Sequence, residues 1–323
     1  MSDTFVPAID TPVVDAVVIG RNEGARLIAC LQSLQVGVRR VVYVDSGSTD
    51  GSVTAAQALG ADVISLDTRQ PFTAARARNA GLAALDAPDF VQLVDGDCAV
   101  DQAWLRAALE AFGHHPKAVV VCGRRRERFP QSSVYNRLID LEWDTPLGSV
   151  AACGGDALVR FSAVMAVGGY CDDLIAGEEP EMCLRLRAAG GQIWRIGAEM
   201  TLHDAAIARF GQWWRRCVRA GHAFAEGASP HGPAGGRLWV NETRRAVVWG
   251  MIVPLIILLA LAFHPAGAVL GLIYPLQVFR LSRRGGWQWA TFTLIGKFAE
   301  SWGVVGYWWG RVRGRKQRLI EYK

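Results

Sequence analysis

The chain has 323 residues, 51% of them hydrophobic, and a mean hydropathy of +0.16, which is too apolar for an ordinary soluble enzyme and long enough for a large domain with an appendage, or for two domains. Its net charge of +5 is uneven: residues 280–323 hold ten Lys/Arg against Glu300 and Glu321, or +8, leaving residues 1–279 at −3, a pattern unlike the basic and aromatic face of a nucleic-acid binder. Seven scattered cysteines, odd in number and never spaced Cys-x-x-Cys, exclude a disulfide frame and a zinc site and fit reduced cytosolic thiols.

Residues 1–12 carry acids and no apolar core of signal-peptide length, so the domain that follows is expected to stay unexported. From Val13 to about Phe112, short β-branched runs alternate with helix-like stretches. Strands are expected at Val14–Ile19, Val41–Val44, Asp62–Ile64 and Phe90–Val94, with helices at Glu23–Gln35, Ser52–Leu59 and Ala74–Leu85. Alternating β and α predicts a parallel, doubly wound sheet, in which ligands bind beyond the carboxyl ends of the strands. Polar clusters fall at three such ends: Arg21-Asn22-Glu23, Asp45-Ser46-Gly47-Ser48-Thr49-Asp50 and Asp95-Gly96-Asp97. Alternate side chains of Asp95-Gly96-Asp97 point one way, and two carboxylates there can hold Mg²⁺ or Mn²⁺ against a diphosphate; alone, the triplet also fits a solvated turn.

Further on, Ala118–Gly123 reads as a strand and Arg124-Arg125-Arg126-Glu127-Arg128 as a solvated charged edge. Glu178-Glu179-Pro180-Glu181 opens a helix that Gly190-Gly191 ends, and acids in a first turn also simply complement the helix dipole. Strands Ile193–Ile196 and Met200–Leu202 lead to His203-Asp204. Residues 246–279 are almost wholly apolar, too long for one comfortable crossing, and flanked by Arg244-Arg245 and Arg280, Arg283 and Arg284. A hairpin of two short helices turning at His264-Pro265 keeps both basic flanks in the cytoplasm; a buried helical subdomain is the alternative. Trp287–Trp309 suits an interfacial amphipathic helix, and the block Arg311, Arg313, Arg315, Lys316, Arg318 after it fits anionic lipid.

Together, Val17-Val18-Ile19-Gly20-Arg21-Asn22-Glu23, Val44–Asp50, Ala77-Arg78-Asn79-Ala80-Gly81, Asp95-Gly96-Asp97 and Glu178-Glu179 through Leu184-Arg185-Leu186 resemble the inverting family 2 glycosyltransferases over about residues 13–225. The resemblance implies a GT-A fold with a Rossmann-like mixed sheet, a nucleotide-diphosphate sugar donor and Mg²⁺ or Mn²⁺. It implies that Asp45 contacts the nucleotide base or ribose, that Asn22 and Glu23 border that pocket, and that Arg78, with Arg76 as a neighbour, lies near the donor phosphates. Asp97 is implied as the metal ligand, with Asp95 beside it, and His203 as a ligand of the metal or diphosphate, against a packed structural histidine. The family's base is the Asp of a Glu-Asp pair; here that place is held by Glu179, preceded by Glu178. Gln212-Trp213-Trp214-Arg215-Arg216 is similar to the Gln-x-x-Arg-Trp motif of processive members, an acceptor or diphosphate site, but Arg216 stands where Trp is expected. Phe210–Gly221 resembles succinoglycan-type exopolysaccharide transferases, which implies a polyprenyl-diphosphate-linked acceptor at the cytoplasmic face of a bacterial inner membrane. The expected organisation is an N-terminal extension (1–12), a catalytic domain (13–225), a linker (226–245), a spanning or re-entrant hairpin (246–280), and an interfacial helix with a basic tail (281–323). Polyprenyl-phosphate monoglycosyl transfer, and a non-catalytic scaffold that keeps a nucleotide pocket, remain the alternatives.

Overall fold

The computed structural model describes residues 12–70, 72–230, 232 and 234–314; most of the N-terminal extension and the basic residues Arg315, Lys316 and Arg318 lie outside them. In chain order the strands are β1 (Val14–Gly20), β2 (Arg40–Asp45), β3 (Asp62–Ser65), β4 (Phe90–Asp95), β5 (Cys98–Val100), β6 (Ala118–Glu127), β7 (Gly148–Val150), β8 (Ala157–Arg160) and β9 (Gln192–His203). The helices are α1 (Ala25–Ser33), α2 (Ser52–Ala58), α3 (Ala74–Ala83), α4 (Trp104–His114), α5 (Val134–Glu142), α6 (Phe161–Ala166), α7 (Glu178–Ala188), α8 (Phe210–Ala228), α9 (Val240–Val247), α10 (Val253–Phe263) and α11 (Ile273–Val312).

The sheet order is β3-β2-β1-β4-β8-β6-β9-β5, with β7 on β9. The half built from β3, β2, β1 and β4 is parallel, as the alternating pattern predicts. The other half is mixed, because β8 runs antiparallel to both β4 and β6, and β5 antiparallel to β9. Strands β1, β2 and β4 of the parallel half are largely apolar because helices cover both faces; Ala16, Val17, Val18, Val42, Val44 and Val91 are fully buried. Register brings Gly20 opposite Asp45 and Ile19 opposite Asp95, so three strand ends meet on one edge.

The charge run after Gly123 is not a solvated edge. It continues β6 alongside β9, and the register shifts at Cys122/Arg124 and Arg124/Arg125 re-aim the side chains. Arg124 is buried against Asp140 and Asp144 of α5 and its following turn, and Arg125 turns under the sheet edge, where desolvation is offset by carboxylates.

Beyond the sheet, α8 packs along the second part of α11, which kinks at Gly285-Gly286. Small residues allow the close approach: a Cβ on Gly221 would fall on the Glu300 carbonyl, and one on Gly303 would meet the Val218 carbonyl. The buried face of α11 carries Ala290, Leu294, Ala299 and Tyr307, while Trp287, Trp302, Trp308 and Trp309 lie on its exposed surface.

Val240–Phe263 forms a 24-residue helical run whose apolar 18-residue window has a mean hydropathy of 2.7, long and apolar enough to cross a membrane, with 6% of that window buried. A π-helical turn, Val248–Ile252, precedes Pro254, whose missing N–H cannot serve the helix ladder. The chain reverses at His264, whose Nδ1 accepts from the Ala266 amide, and a 3₁₀ segment (Pro265–Leu272) returns along α10, with Gly267 against Ala260. Gly221→Ala is expected to cost about 1–3 kcal/mol by overpacking, despite the better helix former; a urea or thermal melt in detergent with unchanged stability would contradict this packing.

Candidate active site

The ends of β1 and β4, the end of β9, the start of α7 and one face of α8 line an open cavity of about 700 Å³. Asn22 occupies the left-handed region, which Asn tolerates, with φ 57°. The turn after β2 holds it there: its amide donates to Ser48 Oγ (2.9 Å) and its side-chain oxygen accepts from the Thr49 amide (2.7 Å). Asp45 builds that turn, accepting from the amides of Gly47 and Ser48 (2.9 and 3.0 Å) and from Tyr43 Oη (3.0 Å). It is 3% exposed and is not among the residues that line the cavity. Glu23 lines the cavity and pairs with Arg26 at 2.7 Å.

Arg78 forms the floor. It projects from α3, which Thr73 caps by accepting from the Arg76 amide, and is 2% exposed. Its guanidinium donates to Asp95 Oδ1 (2.7 Å) and Glu178 Oε1 (2.9 Å), and Glu179 Oε1 lies 3.2 Å away. Arg125 approaches the other Asp95 oxygen at 3.2 Å and Asp156 at 3.4 Å, with its charge 4.8 Å from the Trp143 ring centre. Asp156 is fully buried and accepts from the Asp95 amide (3.1 Å) and Thr201 Oγ1 (2.7 Å), which fixes the end of β4.

Asp97 faces His203 instead. Its Oδ2 lies 3.3 Å from His203 Nε2, and His203 Nδ1 lies 3.6 Å from Glu127 Oε2. The antiparallel register sets Cys98 opposite His203, so β5 and β9 carry Asp97 and His203 to one spot. Burial, reinforced by Arg125, lowers the His203 pKa and favours the neutral imidazole, the ligating form. Donor atoms on adjacent positions of an octahedral shell with ~2.1 Å bonds sit about 3 Å apart, so Asp97 and His203 fit a divalent cation, and Glu127 stands as the carboxylate behind the imidazole.

At the start of α7, Glu178 is held by Arg78 while Glu179 lines the cavity beside it with more of its side chain exposed. Burial first, and the neighbouring Glu178 second, raise the Glu179 pKa to about 7 against the pull of Arg78. A carboxylate of that basicity suits general-base work near neutral pH. Arg21, Arg26, Arg216 and Arg219 line the cavity, a cationic border around an acidic floor that suits a diphosphate bridged by a metal.

Several of the expected residues fall elsewhere. Arg76 is turned away, donating to the Gln70 and Asp67 carbonyls outside the cavity. Gln212 caps α8 by accepting from the Ala208 and Arg209 amides, and Trp213, 5% exposed, is packed among Ile139, Tyr135 and Phe292 with no face left for a sugar. Trp214 packs on Phe210 and Arg215 is exposed; only Arg216 of that motif reaches the cavity, anchored to Glu142 at 2.9 and 3.0 Å. Reasoning from sequence missed Arg125, Glu127, Trp143, Asp156 and Arg219. For Arg125 and Glu127 a signal existed: continuing the period of two past Gly123 puts both on one strand face.

A parallel half-sheet extended by an antiparallel insertion, with an Asp-x-Asp at its central strand end under an open cavity, defines a protein of GT-A fold. Residues 15–155 match the model of glycosyl transferase family 2. The match includes Asp45, Arg78, Asp95, Asp97 and Arg125 but ends before Asp156, the α7 glutamates and His203. The pre-mycofactocin glycosyltransferase of Mycobacterium tuberculosis is 30% identical over 207 residues, 59% of this chain and 42% of that protein. Succinoglycan biosynthesis protein ExoA of Rhizobium meliloti is 28% identical over 190 residues, 54% of this chain and 57% of that one. The chain thus spans about half the length of these relatives. Among solved structures, mannosyltransferase PcManGT of Pyrobaculum calidifontis, in complex with GDP-Man and Mn2+, superposes with a TM-score of 0.64 at 18% identity, covering 93% of this chain and 88% of its own; that likeness concerns the fold.

Arg78→Met is expected to destabilise the domain by about 3–5 kcal/mol, because Asp95, Glu178 and Glu179 lose their shared counter-charge while buried. Denaturant titration at pH 7 measures it, and a loss below 1 kcal/mol would contradict the network.

Proposed function

We propose that this protein is a metal-dependent inverting glycosyltransferase that moves one sugar from a nucleotide-diphosphate donor, UDP-linked, to a polyprenyl-diphosphate-linked glycan at the cytoplasmic face of a bacterial inner membrane. The carrying observation is the division of labour among the buried acids. Asp97 converges with His203 on a cation site, while Glu179, with its raised pKa, stands across the same cavity. The family 2 match and the succinoglycan relative support sugar transfer in polysaccharide assembly, and the exposed apolar helix α10 supports a lipid-borne acceptor.

In the proposed reaction Asn22, Glu23 and the turn after β2 border the nucleotide, and Arg78 and Arg125 set the field beneath the diphosphate. Asp97 and His203 would hold Mg²⁺ or Mn²⁺, which would supply positive charge for the departing nucleoside diphosphate. Glu179 takes the proton of the acceptor hydroxyl as its oxygen bonds the anomeric carbon, and the bond to the β-phosphate oxygen breaks with its electron pair. Attack opposite the leaving group inverts configuration. Arg216 and Arg219 border the acceptor side, where a diphosphate on the lipid needs counter-charge.

The test is a donor screen on detergent-purified protein with detection of released diphosphate and a lipid-linked glycan acceptor. Glu179→Gln is expected to keep donor binding and lose about 10²–10⁴ in kcat. Full loss in Glu178→Gln with Glu179→Gln active would move the base by one residue, and full turnover in both would identify an acceptor phosphate that attacks without a base. Because the base must be ionised, kcat is expected to rise with pH through about 7 and level off above it. A flat profile between pH 5.5 and 8.5, at roughly one unit or more either side of that value, would remove Glu179 from the reaction.

A further inference from the structure

Gly177 immediately precedes the glutamate pair, with φ 86°, a left-handed residue that turns the chain into α7. The space a side chain would need there is taken by the indole of Trp239, into which a Cβ would collide. Trp239 is the residue at the start of α9, whose helical run continues into exposed, apolar α10. Its own backbone is left-handed, φ 55° and ψ 26°, a costly conformation for a tryptophan that persists only where its surroundings impose it.

Those surroundings are built for the ring. A Cβ on Gly227 of α8 would fall 2.9 Å from Trp239 Cε3, and Phe224, one turn earlier, meets the indole edge-on at 5.6 Å between ring centres. The Leu238 amide donates to the Gly227 carbonyl (3.2 Å), while Thr243 binds the Trp239 carbonyl through both its amide and its hydroxyl (2.9 Å each). On the cavity side of the same loop, Arg219 donates to the Ile175 carbonyl at 2.8 Å. The segment leading to Glu178 and Glu179 is therefore held between α8 and the root of the apolar helix.

We infer that Trp239 is a positioning residue that ties the seating of the apolar helix on a lipid surface to the placement of the Glu178–Glu179 carboxylates. The contact involves no charged group, so it transmits position alone. A shift of α9 moves the indole, which packs directly on the backbone of Gly177, and that backbone leads without a break into the first turn of α7. The consequence for transfer rests on the glycosyltransferase reading above; the mechanical coupling does not.

The experiment is hydrogen–deuterium exchange of the full chain in detergent and on phosphatidylethanolamine/phosphatidylglycerol vesicles, for the wild type, Trp239→Ala and Trp239→Phe. Amides of residues 174–181 are expected to be better protected on vesicles in the wild type and in Trp239→Phe, and to lose that difference in Trp239→Ala. Should Trp239→Ala not fold, Gly177→Ala serves, with faster exchange expected reciprocally at residues 239–243. Wild-type exchange at 174–181 in a vesicle-bound Trp239→Ala, or unchanged exchange at 239–243 in a folded Gly177→Ala, would overturn the coupling. In transfer assays Trp239→Ala is expected to lower kcat by up to about 10²-fold with donor KM little changed, the pattern of a misplaced base. Loss of the exchange difference in a protein that transfers no sugar from any donor would retain the coupling and reject the enzymatic reading.

Discussion

The guanidinium of Arg78 is the interaction on which the rest of the site depends. It joins the end of β4 to the start of α7, 100 residues along the chain from Arg78 itself, and it does so buried beneath the cavity. Three carboxylates this close would each raise the others' pKa and drive one another apart; a buried counter-ion lets them coexist within reach of one substrate. The pairing also sorts them. Asp95 is shared by Arg78 and Arg125 and Glu178 is held by Arg78, whereas Asp97 pairs with His203, and Glu179, 3.2 Å from Arg78, is the more exposed of the two α7 glutamates.

The helical half continues the same logic. Its exposed surface is apolar where α10 and the returning segment meet their surroundings, and its buried surface is made of small residues, so α8 and α11 lie close enough to act as one body. Helix α8 shares its faces between the two functions, with Arg216 and Arg219 toward the cavity and Gly221, Phe224 and Gly227 toward the helices that carry the apolar run. An acceptor held in lipid would then meet a catalytic cavity whose edge and floor are braced by the same element.

Much of the parallel half-sheet was legible in the sequence because a strand buried on both faces is an apolar run and its functional end is a polar cluster. Val14–Ile19, Val41–Val44 and Phe90–Val94 differ from the observed strands by a residue or two at their ends. Gly154–Val159 reads as a turn and a strand, which β8 matches, but its antiparallel insertion was not legible, since local pattern does not encode pairing direction, and three-residue strands such as β5 and β7 carry too little pattern to find. The charge run after Gly123 misled for a physical reason: arginines in series normally mean solvent, and only the distant partners Asp95, Asp156 and Asp140 make burial of Arg124 and Arg125 tolerable. The Gln212–Arg216 motif misled in the opposite sense, its Trp213 being core and its Gln212 a cap.

The central claim, that Asp97 and His203 hold a divalent cation against a nucleoside diphosphate, is tested most directly by electron paramagnetic resonance of Mn²⁺ titrated into the protein with and without UDP. The account predicts that wild-type protein immobilises Mn²⁺ strongly only when UDP is present, and that Asp97→Asn and His203→Ala lose this while remaining folded. Equal immobilisation of Mn²⁺ in wild type and Asp97→Asn would contradict it.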